Sequence, residues 1–170
     1  MESLIRFILG DINIWSPLIV LALGLYKSSF AGCKRAAACA SMLQYFMLLT
    51  IGLMGSEGFI MHAFFSEFTA RLIGWHTSPF QFEVAIANLS FSVLGILAFF
   101  KRSYPFSCAT VLGFAIWLFG DGLGHVYQRL MLGNTAPFNA GATMYTDLLL
   151  PIMGLVLLVG AKYAVVENKQ

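Results

Sequence analysis

Ser103–Gly120, SYPFSCATVLGFAIWLFG, runs eighteen residues without a charge and is followed at once by Asp121 and, four residues on, by His125. Such a run is long enough to approach the roughly 20 residues that a helix needs to cross a bilayer's hydrocarbon core. It is not alone. Ile12–Tyr26, Ala36–Ser56, Val84–Phe100 and Leu148–Ala161 are also free of charge. Extended to their caps, the five runs predict an all-α polytopic transmembrane bundle with spans at about 8–26, 36–65, 80–100, 105–129 and 143–162, read as a single integral membrane domain over 1–170.

Composition agrees. Of the 170 residues 59% are apolar and 11% charged, and the mean hydropathy is +0.80. Soluble domains carry about 25% charged residues. A disordered chain, a nucleic-acid-binding module and an ordinary cytosolic enzyme are thereby excluded, and a β-barrel, whose strands alternate polar and apolar residues, fits poorly. The natural partner is the lipid bilayer. The first span is the weakest, since it contains Asp11 and Pro17. The second exceeds the bilayer's requirement and is expected to tilt, to kink at Gly52, Gly55 or Gly58, or to protrude.

Five spans put the termini on opposite sides. Lys27, Lys34, Arg35, Lys101, Arg102, Lys162 and Lys169 fall at one end, and Arg6, Arg71 and Arg129 at the other. Basic residues concentrate on the cytoplasmic side. The expectation is a multi-pass protein of the cytoplasmic (inner) membrane with its N-terminus outside and its C-terminus in the cytoplasm. Cys33, Cys39 and Cys108 then lie at the reducing face, where disulfides do not persist. Phe30-Ala31-Gly32-Cys33 has the outline of a lipoprotein cleavage box, but Lys27 interrupts the apolar segment before it and Lys34-Arg35 follow.

The acidic, His and amide residues gather towards the opposite end. Ionisable groups inside spans are costly and mark candidate sites. At about 1.5 Å of rise per residue, His62, Glu83, His125 and Asp147 lie about 6–8 Å below the outer boundary, and Glu57, Asn88 and Asp121 about 12–15 Å below it. The expected site is an outward-facing polar cavity. His62, Glu83, Asn88, Asp121, His125 and Asp147 are its ligand or proton-relay candidates, with Glu57 secondary, because five residues of helix turn it about 140° away from His62. His62, Glu83, Asp121, His125 and Asp147 are the candidate ligands of a divalent metal ion. Haem b held by His62 and His125 on different spans is the alternative cofactor. A third reading is a structural or accessory membrane subunit whose polar residues only join helices.

Local patterns refine this. Asp121 and His125 share a helix face, able to chelate one ion or to pair with each other. Gly120 and Gly124 form a GxxxG pair, which predicts close helix packing and a possible oligomer contact. Ser78-Pro79-Phe80-Gln81 reads as a helix start, with Ser78 capping, Pro79 first in the helix and Gln81 third. Pro151, four residues after Asp147, predicts a kink beside that carboxylate. Leu132–Gly141, rich in turn formers, reads as a tight outer loop or a lid. No GxSxG or convincing nucleophile–base pair suggests a hydrolytic enzyme.

The blocks Gly74-Trp75, Ser78–Val84 (SPFQFEV), Ala87-Asn88-Leu89, Gly120-Asp121, Gly124-His125, Asn139-Ala140-Gly141 and Tyr145-Thr146-Asp147 resemble the signature of a family of small prokaryotic multi-pass membrane proteins catalogued only as a domain of unknown function. The resemblance runs from about residue 50 to about residue 160 and includes His62 but not Glu57. It implies an inner-membrane protein with its polar signature on the outer side, and it carries no catalytic role.

Overall fold

The structure, a computed structural model, describes residues 12–29 and 35–167. Arg6, Asp11, the Phe30–Cys33 box, Lys34 and Lys169 lie outside them. No strand occurs among the described residues. The helices are α1 (Ile12–Ser29), α2 (Arg35–Phe64), α3 (Ser66–Ile73), α4 (Phe80–Lys101), α5 (Tyr104–Leu132), the short α6 (Pro137–Ala140) and α7 (Ala142–Glu167).

Four segments, Arg35–Phe64, Phe80–Lys101, Tyr104–Leu132 and Pro137–Tyr163, are long and apolar enough to cross a membrane. Their outer faces are apolar as well: Ile116 is 78% exposed and Phe100 72%. Side chains of that kind are stable in hydrocarbon and not in water. α1 is less apolar, carrying Asn13, Ser16 and Pro17, and is not among the four. It nevertheless packs along the first half of α2. Ser16 Oγ lies 3.2 Å from Thr50 Oγ1 halfway along α2, and Lys27 Nζ donates to Ser41 Oγ at 2.8 Å near the start of α2.

α2 organises the bundle. Its first half packs on α7 and its second half on α4, while α5 and α7 lie along each other. Phe46, Met47, Ile51, Val111, Phe114, Leu150 and Leu157 fill the centre. The expected glycine kink of the second span takes another form. α2 is continuous, but Phe46–Leu53 is π-helical. This wider turn lies where α4 comes closest. A Cβ on Gly95 would stand 2.6 Å from the Met47 carbonyl oxygen and 2.8 Å from the Gly52 amide nitrogen, and one on Gly55 would stand 2.9 Å from the Asn88 carbonyl oxygen. The glycines therefore serve helix approach. Because those neighbours are backbone atoms, Gly95→Ala is expected to cost about 1–3 kcal/mol. Gly124→Ala, whose Cβ would meet nothing within 4 Å, should stay within about 0.5 kcal/mol of wild type. Thermal unfolding in detergent checks both.

α7 runs on through Pro151, which is fully buried. The helices alternate in direction, so Lys27, Arg35, Lys101, Arg102 and Lys162 collect at one end of the bundle. Asn13, Glu57, His62, Asp121, His125 and Asp147 collect towards the other.

Candidate functional site: an acidic cavity at one end of the bundle

At that second end the helices enclose a cavity of about 270 Å³. α1 supplies Asn13; α2 supplies Glu57, Gly58 and His62; α4 supplies Gln81 and Asn88; α5 supplies Gly120, Asp121, Gly124 and His125; α7 supplies Thr143 and Asp147. Trp75 and His76 enter from the α3–α4 connection. Of the candidates read from sequence, His62, Asn88, Asp121, His125 and Asp147 thus share one cavity, and Glu57 joins them. The 140° between Glu57 and His62 is the width of the lining stripe, with Met61 and Gly58 between its two edges. Gly58 leaves room for the Asn88 carboxamide, which would lie 2.7 Å from a Cβ there.

Glu83 is a correction. It is exposed and does not line the cavity. It lies two residues after Gln81, which is buried, and two residues of helix turn a side chain by about 200°. The helix start also differs from expectation. α4 begins at Phe80, with Pro79 before it and no side-chain cap. Gln81 does not close a capping box; its Oε1 accepts from His62 Nδ1 and joins α4 to α2.

Gly120 and Gly124 are a second correction. No described atom would lie within 4 Å of a Cβ on either, so they make no close helix contact within the chain. They line the cavity, and their missing side chains keep it open. The close approach of α5 to α7 is made by Gly122, whose Cβ would stand 3.3 Å from the Asp147 carbonyl carbon.

The third correction concerns His125. Its partner carboxylate is not Asp121, one turn away on its own helix, but Asp147 on α7, with Nε2 and Oδ2 3.6 Å apart. His125 Nδ1 faces Asn139 Oδ1 at 2.9 Å. Asn139, on α6, is completely buried, and its Nδ2 donates to the Asn134 carbonyl at 2.9 Å. The Asn134 carbonyl accepts only, so it must meet the NH₂ of Asn139, and this turns Oδ1 towards His125. An amide oxygen also only accepts. His125 Nδ1 therefore carries a proton, and Nε2 is the ring atom presented to Asp147.

The stretch expected as a tight outer loop or a lid builds this arrangement. Asn134 Nδ2 donates to the Ile73 carbonyl at 2.9 Å, and its Oδ1 accepts from the Ala136 amide at 3.0 Å. The loop is thereby fastened to the end of α3. There Gly74, at φ 77°, closes the helix: Trp75 N–H donates to Ala70 O and Gly74 N–H to Arg71 O. This reversal needs a left-handed residue. It brings the Trp75 ring onto His125, with centroids 5.8 Å apart and planes 22° from parallel. Asn13, Trp75, His76, Gln81, Asn134 and Asn139 were not legible as site residues. Trp75, Gln81 and Asn139 fall in the signature blocks, but a block says nothing of what its residues touch, and the two asparagines among turn formers read equally well as turn chemistry.

Chemically, the cavity is rich in acceptors. Glu57, Asp121 and Asp147 line it, and no lysine or arginine is among the described lining residues. Asn13 Oδ1 is buried with no hydrogen-bond partner among the described residues. Among the described residues, no three of His, Cys, Asp or Glu converge as metal ligands do, so the five-residue metal set is not assembled. Both ring nitrogens of His125 face protein partners, which leaves neither open to a haem iron opposite His62.

No curated protein and no solved structure matches the chain. It does match, over residues 12–165, the family described as a family of unknown function, DUF6790. The match covers nearly the whole chain, and the chain belongs to that family.

Proposed function

We propose that the protein is a multi-pass protein of a cytoplasmic membrane whose acidic cavity takes up and passes on protons through Asp147 and His125. The observation that carries this reading is the fixed orientation of His125. With Nδ1 protonated, a neutral ring points the Nε2 lone pair at Asp147. An ionised Asp147 facing that lone pair is repulsive; one proton between them removes the repulsion, either as carboxylic acid with neutral imidazole or as carboxylate with imidazolium. The pair thus holds one proton that can sit on either partner, as a relay requires. Three carboxylates and no lysine or arginine among the described lining residues favour entry of a positive charge.

In this reading α1 is a fifth span, supported by its contacts from the cavity to the basic end, and the basic end faces the cytoplasm. The cavity then opens to the outside. Purified protein in liposomes with an entrapped pH-sensitive dye tests the reading: an imposed proton gradient should collapse faster than in protein-free vesicles. Equal rates would count against it.

The same bonds suit a structural clamp, because the His125–Asn139–Asn134 chain joins α5, α6 and the end of α3. The two readings separate on substitution of Asp147, treated in the Discussion.

A further inference from the structure

The opposite, basic end of the bundle holds a second cavity, of about 320 Å³, lined by residues including Lys27, Ser41, Gln44, Arg102 and Tyr104. It is unlike the acidic cavity in every respect that decides a ligand. Its two charged lining residues are both cations, and no carboxylate is among its described lining residues. Among the described residues Lys27 Nζ makes one hydrogen bond, to Ser41, which leaves two further protons to donate. Arg102 closes α4 at φ 50°, a left-handed conformation outside the helix. No described residue pairs with its guanidinium. Gln44 Oε1 is buried with no hydrogen-bond partner among the described residues. An acceptor left so is costly unless a ligand or water supplies a donor.

Two donating cations beside a buried acceptor match a phosphate anion that also carries a hydroxyl group. We propose that this cavity binds the headgroup of an anionic, hydroxyl-bearing phospholipid. Lys27 and Arg102 hold the phosphate, and Gln44 Oε1 accepts from the headgroup hydroxyl. Basic pockets between membrane helices at their cytoplasmic ends are suited to such headgroups. The exposed Phe100 and Tyr26 near this end offer an apolar surface for the acyl chains. The proposal requires that the chain lie in a bilayer; it does not depend on proton transfer at the other end.

The same chemistry is present in a soluble phosphate, so the test has separate arms. The full chain in neutral detergent is titrated with short-chain phosphatidylglycerol, short-chain phosphatidylcholine or inorganic phosphate, and its melting temperature is followed. The expected result is saturable stabilisation by phosphatidylglycerol alone. Arg102→Asn, which the left-handed position accepts, and Lys27→Gln should each weaken it by about tenfold or more. Lys162→Gln removes an exposed charge at the same end outside the cavity and should leave it unchanged. The same pattern with inorganic phosphate alone supports the phosphate site and makes its occupant soluble. Equal stabilisation by the two lipids, or equal loss in Arg102→Asn and Lys162→Gln, overturns the proposal.

Discussion

Asn139→Leu is expected to lower the stability of the protein by about 2–4 kcal/mol. Leucine is similar in size, so the effect is not one of volume. It strips a partner from the buried Nδ1–H of His125 and from the half-buried carbonyl of Asn134. The first is left where water does not easily replace the bond and costs about 1–3 kcal/mol; the second is part-open to water and costs about 1 kcal/mol. Asn139→Asp separates the two losses. It still accepts from His125 but cannot donate to Asn134, so it should fall between wild type and Asn139→Leu. Thermal or denaturant unfolding in one detergent compares the three. Equal stability of all of them would mean that the buried chain of bonds is not what holds α6 in place.

Asp147→Asn is expected to abolish proton uptake, a loss of tenfold or more in the liposome assay, while the protein remains folded. The carboxamide is nearly the same shape. Its NH₂ can donate to His125 Nε2, so the contact survives even in a buried setting. What disappears is the group able to exchange a proton with the ring. If the His125 and Asp147 pair were only a clamp, Asp147→Asn would behave as wild type in every respect. Flux and melting temperature measured together distinguish the readings: flux lost with stability kept supports the relay, and both kept supports the clamp.

The bundle was largely legible because membrane crossing is a matter of length and apolarity. Runs such as Ser103–Gly120 and Leu148–Ala161 have few other stable uses. The one-sided gathering of Glu57, His62, Asp121, His125 and Asp147 was legible too, since alternating helix direction turns sequence position into depth. Partners were not. Helical periodicity compares residues on one helix, and so it paired His125 with Asp121; the structure pairs it across helices with Asp147. Nor does periodicity say which way a single helix is rotated, which is why Glu83 and Gln81 exchange their expected importance. GxxxG states only that space is left beside a helix. At Gly95 a neighbouring backbone fills such space, and at Gly120 and Gly124 the cavity does. Asn134 and Asn139 were hidden because asparagine in a turn ordinarily bonds its own backbone, and only the fold shows that these two reach to Ile73 and His125.

In the proposed relay His125 keeps a proton on Nδ1 and trades the other with Asp147. Nitrogen-15 NMR of histidine-labelled protein tests it most directly, with the His125 signals assigned by their loss in His125→Gln. Nδ1 of His125, held against an acceptor-only oxygen, is expected to stay protonated throughout the pH range in which the protein is folded. A ring with Nε2 protonated and Nδ1 bare at any pH in that range would contradict it.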